Sequence, residues 1–331
     1  MRDGPDLAGN WFERLSPHGT PCDERRPASA AAISAVAVAK LDGRVVQPVA
    51  HGTAETSSFK FRAHSVSSLQ SDKRKPMRVD AIETADVAER LIGAARRLRD
   101  AVQRLQFAPP VSHVYNPLDY AWAAHEEYLR RYANSRRRAV FLGMNPGPFG
   151  MVQTGVPFGE VGAVRDWLGI NLAISAPGLV HPKRPITGFD CPRMEISGQR
   201  LWGLFAARFG SADAFFESHF VVNYCPLAFL EASGCNRTPD KLAPAEKEAL
   251  FRACDEHLRE VIAALAPEWL IGIGDFAAKR AREVFADGPP KIARVLHPSP
   301  ASPAANRDWA GAATRELERL GIWSGASDLP R

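Results

Sequence analysis

Long apolar runs are missing from these 331 residues. No stretch approaches the roughly 20 residues that a membrane span requires. Ala28–Ala39 follows Arg25-Arg26, but it starts too far from Met1 and is too rich in alanine to be the core of a signal segment. Cysteine is scarce as well. The five are Cys22, Cys191, Cys225, Cys235 and Cys254, an odd number with no Cys-x-x-Cys pair. That pattern indicates neither a disulfide framework nor a zinc or iron–sulfur centre, and it makes a reducing cytoplasm the default setting. Neither G-x-x-x-x-G-K-[ST] nor G-x-G-x-x-G occurs where a nucleotide-binding α/β protein needs it. Extreme charge is absent too. A formal +5 and a sequence pI near 9.0 allow an anionic partner such as nucleic acid without demanding one. What remains is ordinary globular material, 45% hydrophobic, with room for one large domain plus an appendage. No internal repeat stands out.

Glycine and proline, by contrast, are concentrated. Ala139-Val140-Phe141-Leu142 is an apolar run of the length and type of a buried strand. It breaks at Gly143 into a loop that carries seven more glycines and prolines by Gly159. Such a loop is stiff, and a flat ring or another backbone can approach it closely. It also holds one amide, Asn145, and two aromatics, Phe149 and Phe158. A second break comes late in the chain, at Leu296-His297-Pro298-Ser299-Pro300.

Residues 1–80 show no sustained period and are expected to form a disordered extension, ending near the basic cluster Lys73-Arg74-Lys75. A nucleic-acid-binding arm is the sharper alternative there, and Met77 is a candidate natural start. The ordered domain is expected over 81–325. Thr84 or Asp86 can cap a first helix in which Val87, Leu91, Leu98, Val102 and Leu105 keep helical spacing. Its arginines, Arg96, Arg97, Arg99 and Arg104, read as a solvated face. A second helix is expected from Leu118 to Tyr132. From Ala139 onward strands alternate with helices. The strands are Ala139–Gly143, His219–Asn223, Trp269–Gly274 and Ile292–Leu296. Helical stretches lie near Val161–Leu168, Gly198–Phe209, Ala245–Ala264 and Phe276–Phe285, with a last one over Asp308–Leu320. The alternation predicts an α/β fold, three layers (α/β/α) around a short, mostly parallel four-stranded sheet.

In an open parallel sheet, ligands bind beyond the carboxyl ends of the strands. Asn145, Asn223, Gly274 and His297 follow or end the four strands, so the polar residues chosen for their chemistry fall on one edge. Taken singly, each has an ordinary explanation. Asn145 can close its own turn, Asn223 can satisfy strand-end backbone, His297 can cap a strand, and Phe158 can be core. The functional alternatives are a fixed amide that orients a water, an amide that reads a uracil-like edge, a neutral imidazole that donates to a leaving group, and a stacking platform.

Together the loops are specific. Gly143–Met151 (GMNPGPFGM) with Gln153–Val161 (QTGVPFGEV) resembles motif one of the single-strand-selective monofunctional uracil-DNA glycosylases, family three of the uracil-DNA glycosylase superfamily. His297–Pro300 (HPSP), followed by Pro303 and Ala305-Asn306, resembles their second motif. Val164–Ile170, His181–Pro185, Ser197-Gly198 and Asn223 with Cys225-Pro226-Leu227 are similar to family segments between the two. The likeness spans roughly residues 115–325. It implies a DNA repair hydrolase that removes uracil, and 5-hydroxymethyluracil, from single- and double-stranded DNA and leaves an abasic site. No metal or cofactor is implied, and a monomer acting on DNA is expected, cytoplasmic, with the nucleoid or nucleus as its place of work. Residue by residue, Asn145 would position the water and His297 would stabilise the uracil anion. Asn223 would read the base edge, Phe158 would stack on the flipped base, Met144 would line the pocket, and Gly147 would leave room at C5. Ser299, Pro300, Ala301 and Ser302 would form the loop that wedges into DNA, and Lys183, Arg184 and Arg200 would contact phosphates.

Two features refine that expectation. Motif one carries no carboxylate, which predicts a slower enzyme than relatives with an aspartate there. The wedge loop often carries arginine in the family, whereas this chain has Ala301, which predicts weaker activity on duplex than on single strands. The competing readings are a mismatch-specific thymine or uracil glycosylase of the same superfamily and a non-catalytic reader of damaged DNA. Met144 and the HPSP histidine speak against the first, the intact Asn145, His297 and Asn223 against the second.

Overall fold

The computed structural model describes residues 79–286 and 288–324. Apart from its last two residues, the expected extension 1–80 lies outside the described residues, with Lys73-Arg74-Lys75, Met77 and Cys22. The first helix, α1 (Val79–Gln103), starts before the expected caps, so Thr84 and Asp86 are interior positions. Its Val87, Leu91, Leu98 and Val102 are buried as the period required, while Leu105 lies past the helix end. The arginines of its outer side pair with carboxylates, Arg96 with Glu126 and Arg97 with Glu260, which is the behaviour of a solvated face.

The expected second helix is broken at Ala121 into α2 (Pro117–Tyr120) and α3 (Trp122–Tyr132). A short antiparallel sheet also forms that the chain pattern had not suggested: β1 (Val111–Tyr115), β4 (Ala228–Glu231) and β5 (Asn236–Arg237), in the order β1-β4-β5. Its strands are short, and β1 lies more than a hundred residues before its partner. Local periodicity carries little signal for such a pairing.

The main sheet is parallel throughout, in the order β3-β2-β6-β7, built from β2 (Ala139–Gly143), β3 (His219–Asn223), β6 (Trp269–Ile273) and β7 (Lys291–Val295). The last two end one residue earlier than expected. Every residue of β2 and β3 is buried, as a parallel sheet covered on both faces demands. On one face Phe141 meets Phe205 of α5 (Ile196–Phe209), which follows the short α4 (Met151–Thr154), and His219 stacks on Phe215 of α6 (Ala212–Phe216). On the other, Phe220 packs against Tyr128 of α3. Helices α7 (Pro244–Leu265), α8 (Asp275–Val284) and α9 (Pro303–Arg319) complete the layers, with α7 against α1, α8 against β6 and β7, and α9 against β7.

Two local departures sit near the strand ends. The expected helix at Val161–Leu168 is a five-residue π-helical turn, Ala163–Trp167. The last helix begins at Pro303 rather than Asp308, because Ser302 caps it and Pro303 supplies its first turn. Asp308 itself is off-helical (φ −165°, ψ 72°), and its carboxylate accepts the Gly311 N–H at 2.8 Å, capping a second segment.

Candidate active site

Parallel pairing places the four carboxyl ends side by side. Gly143 is the register partner of Asn223. The two chains continue together past their strands, since Tyr224 N–H donates to the Gly143 carbonyl and Cys225 N–H to the Met144 carbonyl, both at 2.9 Å. This holds the motif-one loop and Asn223 in fixed relation. Gly274 (φ +88°) turns the chain out of β6, and a Cβ there would come within 3.1 Å of His297 Cβ. Only glycine leaves that space and adopts that backbone cheaply.

Asn145 is half-buried. Its Nδ2 donates to the Leu227 carbonyl at 3.1 Å and to Pro146 O at 3.3 Å. A carbonyl cannot donate, so the nitrogen must face Leu227. The amide oxygen is then turned the other way and takes no hydrogen bond from the described residues.

Asn223 is buried (7% exposed), and its Nδ2 reaches only the Met151 sulfur, at 3.4 Å. Its Oδ1 is buried with no partner among the described residues. An unsatisfied buried acceptor costs about 1–3 kcal/mol, and in a native protein it calls for a reason. The oxygen lies against Gly143, where a Cβ would sit 2.2 Å from it and 2.5 Å from Phe158 Cε2. The missing side chain at Gly143 is what admits both the amide and the ring.

Phe158 has φ +52°, a left-handed conformation that costs a non-glycine residue about 1–2 kcal/mol. It is held there through its carbonyl, which accepts from Trp202 Nε1 at 3.1 Å and from Glu160 N at 2.7 Å. The result is a phenyl ring 6.1 Å, centroid to centroid, from the His297 ring. Strain of this kind persists only where the surroundings over-determine it, and it clusters at functional sites.

His297 takes its tautomer from the turn that follows it. Ser299 N–H donates to Nδ1 at 3.1 Å, so Nδ1 is the acceptor and the ring proton resides on Nε2. Burial holds the imidazole below its ordinary pKa, which keeps it neutral. The ring is therefore an uncharged donor through Nε2.

The remaining candidates divide. Met144 and Gly147 are half-buried in the motif-one loop. A Cβ at Gly147 would meet nothing closer than Glu195 Oε1 at 3.9 Å, so the glycine does leave space. Ser299 Oγ accepts the Ala301 N–H at 3.1 Å, Pro300 and Ala301 are exposed at the tip, and Ser302 Oγ caps α9. Lys183 is exposed. Arg184 anchors its Nε on the Gly234 carbonyl at 2.8 Å and lies 5.3 Å from the Phe149 ring, while Arg193 lies 4.9 Å from the same ring. Two guanidinium groups thus flank the motif-one loop. Arg200 is different: its fork turns inward, onto Pro298 O at 3.0 Å and Asn306 Oδ1 at 2.9 Å.

Sequence reasoning missed Arg193, Trp202 and above all Glu195. The Glu195 side chain caps α5, accepting Ser197 N–H at 3.2 Å and also Gly198 N–H, and it lies under Gly147 and Gly150. Burial, with Glu160 nearby, pushes its carboxyl up to about 7 against those two hydrogen bonds. An acidic residue just ahead of a helix start was the available signal.

The chain is similar to several known proteins. A family model described as the uracil DNA glycosylase superfamily matches residues 130–318. Three curated proteins described as single-strand selective monofunctional uracil-DNA glycosylases are similar over most of the chain. That of Rattus norvegicus is 46% identical over 238 residues, 71% of this chain and 86% of the relative. That of Mus musculus is 45% identical (72% and 86%), and that of Bos taurus 44% identical (71% and 88%). The crystal structure of wild-type SMUG2 from Pedobacter heparinus superposes with a TM-score of 0.51 at 18% identity, covering 69% of this chain and 97% of that one, and supports the fold.

Proposed function

This chain belongs to the single-strand selective monofunctional uracil-DNA glycosylases of the uracil-DNA glycosylase superfamily, and from that premise we propose how its residues share the work. The protein is a monofunctional uracil-DNA glycosylase of base excision repair. It hydrolyses the bond between uracil and deoxyribose and leaves an abasic site in an uncut strand.

A base inside a duplex is out of reach, so the target must be single-stranded or flipped out of the stack. In our reading the flipped uracil stacks on Phe158 and presents its N3–H and O4 edge to the Asn223 amide. The observation that supports this most is the unpartnered Asn223 Oδ1, a buried acceptor beside a ring platform. Uracil supplies the missing donor through N3–H. Cytosine has a lone pair there and an amine where uracil has O4, so both contacts fail.

As the bond from C1′ to N1 breaks, its electron pair goes to the base and positive charge builds on the sugar. His297 Nε2–H donates to the developing uracil anion. Being neutral, the ring stabilises that charge without first having to lose a proton. Asn145, anchored by Leu227, orients a water through its amide oxygen for attack at C1′. The water's proton leaves to solvent or to the departing base. Lys183, Arg184, Arg193 and the tip Ser299–Ser302 face the DNA backbone. The open side of Gly147 admits a 5-hydroxymethyl substituent. Work on chromosomal DNA assigns the enzyme to the nucleoid or the nucleus. We assign the catalytic domain to 81–325 and a separate extension to 1–80.

The test uses a labelled single-stranded oligonucleotide with one uracil, incubated with the protein in chelator. Strand scission only after hot alkali is the expected result. Scission without alkali would refute monofunctionality, and an oligonucleotide left intact with either uracil or 5-hydroxymethyluracil would refute the assignment of substrate. Asn145→Ala should abolish base release while leaving oligonucleotide affinity nearly unchanged.

A further inference from the structure

Helix α5 touches both motif loops through residues of its first two turns. At its start, Glu195 lies beneath motif one: a Cβ on Gly150 would come within 2.9 Å of Glu195 Cγ. Next, Gly198 admits the Phe158 carbonyl, which would be 2.0 Å from a Cβ there, and Trp202 Nε1 donates to that same oxygen at 3.1 Å. Two residues past Gly198, Arg200 reaches the other way, with Nη1 on Pro298 O at 3.0 Å and Nη2 on Asn306 Oδ1 at 2.9 Å. Asn306 closes the link by donating from Nδ2 to Pro300 O at 2.8 Å. The carbonyl of Pro298 belongs to the residue next to His297.

We propose that α5 is the bracket that sets the distance between the two catalytic loops, with Glu195 and Arg200 as its positioning residues. Glu195 supports the loop that carries Asn145. Arg200, together with Asn306, holds the loop that carries His297. Neither residue meets the base. Both act by fixing where the water-holding amide stands relative to the imidazole, a separation on which the chemical step depends steeply. For Arg200 this replaces the expected phosphate contact, because both terminal nitrogens of its planar fork are already engaged by acceptors of the chain itself.

The inference rests on the glycosylase reading above, and the experiment separates the two. Single-turnover release of uracil from a single-stranded oligonucleotide would be measured with the full chain and with three conservative variants. Arg200→Lys keeps the charge but loses the fork. Asn306→Ala removes an exposed acceptor from the same link. Glu195→Asp keeps a good helix cap but shortens the reach to Gly150. Each variant should release uracil roughly ten- to a hundredfold more slowly, with oligonucleotide affinity and its salt dependence unchanged. Arg200→Lys and Asn306→Ala combined should be no slower than Arg200→Lys alone, since they cut one link. Failure of the native chain to release uracil sinks the glycosylase reading itself. If the native chain is active, two outcomes overturn the bracket alone. One is normal rates in Asn306→Ala and Glu195→Asp. The other is an Arg200→Lys variant whose only defect is weaker binding with a shallower salt slope, the mark of a phosphate contact.

Discussion

His297 illustrates how a single backbone hydrogen bond selects a tautomer. The Ser299 N–H occupies Nδ1, and partial burial disfavours the charged ring, so protonation would have to break the turn as well as charge a half-buried group. We expect nitrogen chemical shifts to report a neutral ring protonated at Nε2 at pH 7. Its titration midpoint should lie below the ordinary histidine value of about 6.5. A midpoint above that value would mean an imidazolium at work and would remove the neutral-donor step. Asn145 follows the same logic on a smaller scale, since Leu227 O decides which end of the amide faces out.

Among the elements, the tip between β7 and α9 carries a short side chain at the position proposed for the DNA wedge. Ala301 is exposed there and too short to fill the gap left by a flipped base. Ala301→Arg is expected to raise uracil release from duplex several-fold more than from single strands. Equal effects on both substrates would show that the wedge does not depend on this side chain. The strands of the main sheet were legible in the sequence to within one residue, because β2 and β3 carry apolar runs, Ala139–Leu142 and Phe220–Val222, that end at a glycine or polar break. The positions of Asn145, Asn223 and His297 were legible for the same reason: they end or follow those strands. Glu195 and Arg200 were not. Arg200 is separated from its acceptors by 98 and 106 residues, and only tertiary packing turns a surface-like arginine inward. Nor was the small sheet visible, whose strands β4 and β5 span only four and two residues.

Across the whole molecule, burial of titratable groups makes stability depend on pH. His125 and His219 are held down to about 4 and His257 to about 3, each mainly by burial. Their folded values lie below the unfolded one, so the stability tied to their neutral form is full above pH 6.5 and drains away as pH falls toward 4. Glu195 works in the opposite sense. Its carboxyl, pushed up to about 7, favours the folded state at low pH and loses that advantage as pH rises. Between about pH 4.5 and 6.5 unfolding lets these histidines take up protons while Glu195 releases one, so on balance acidification lowers stability. Urea unfolding at pH 7, 6 and 5 checks it, and a midpoint that holds steady over that range would mean these histidines are already charged in the folded protein.

The solitary oxygen of Asn223 has one more implication, for turnover rather than recognition. On the proposed reading, whatever satisfies it on the way in also satisfies it on the way out, because the freed base keeps an N–H to donate to that oxygen. Uracil released from the strand is thus its own competitor for the pocket. Added free uracil is expected, on that reading, to compete with the strand for the pocket, which inhibition assays with uracil would show.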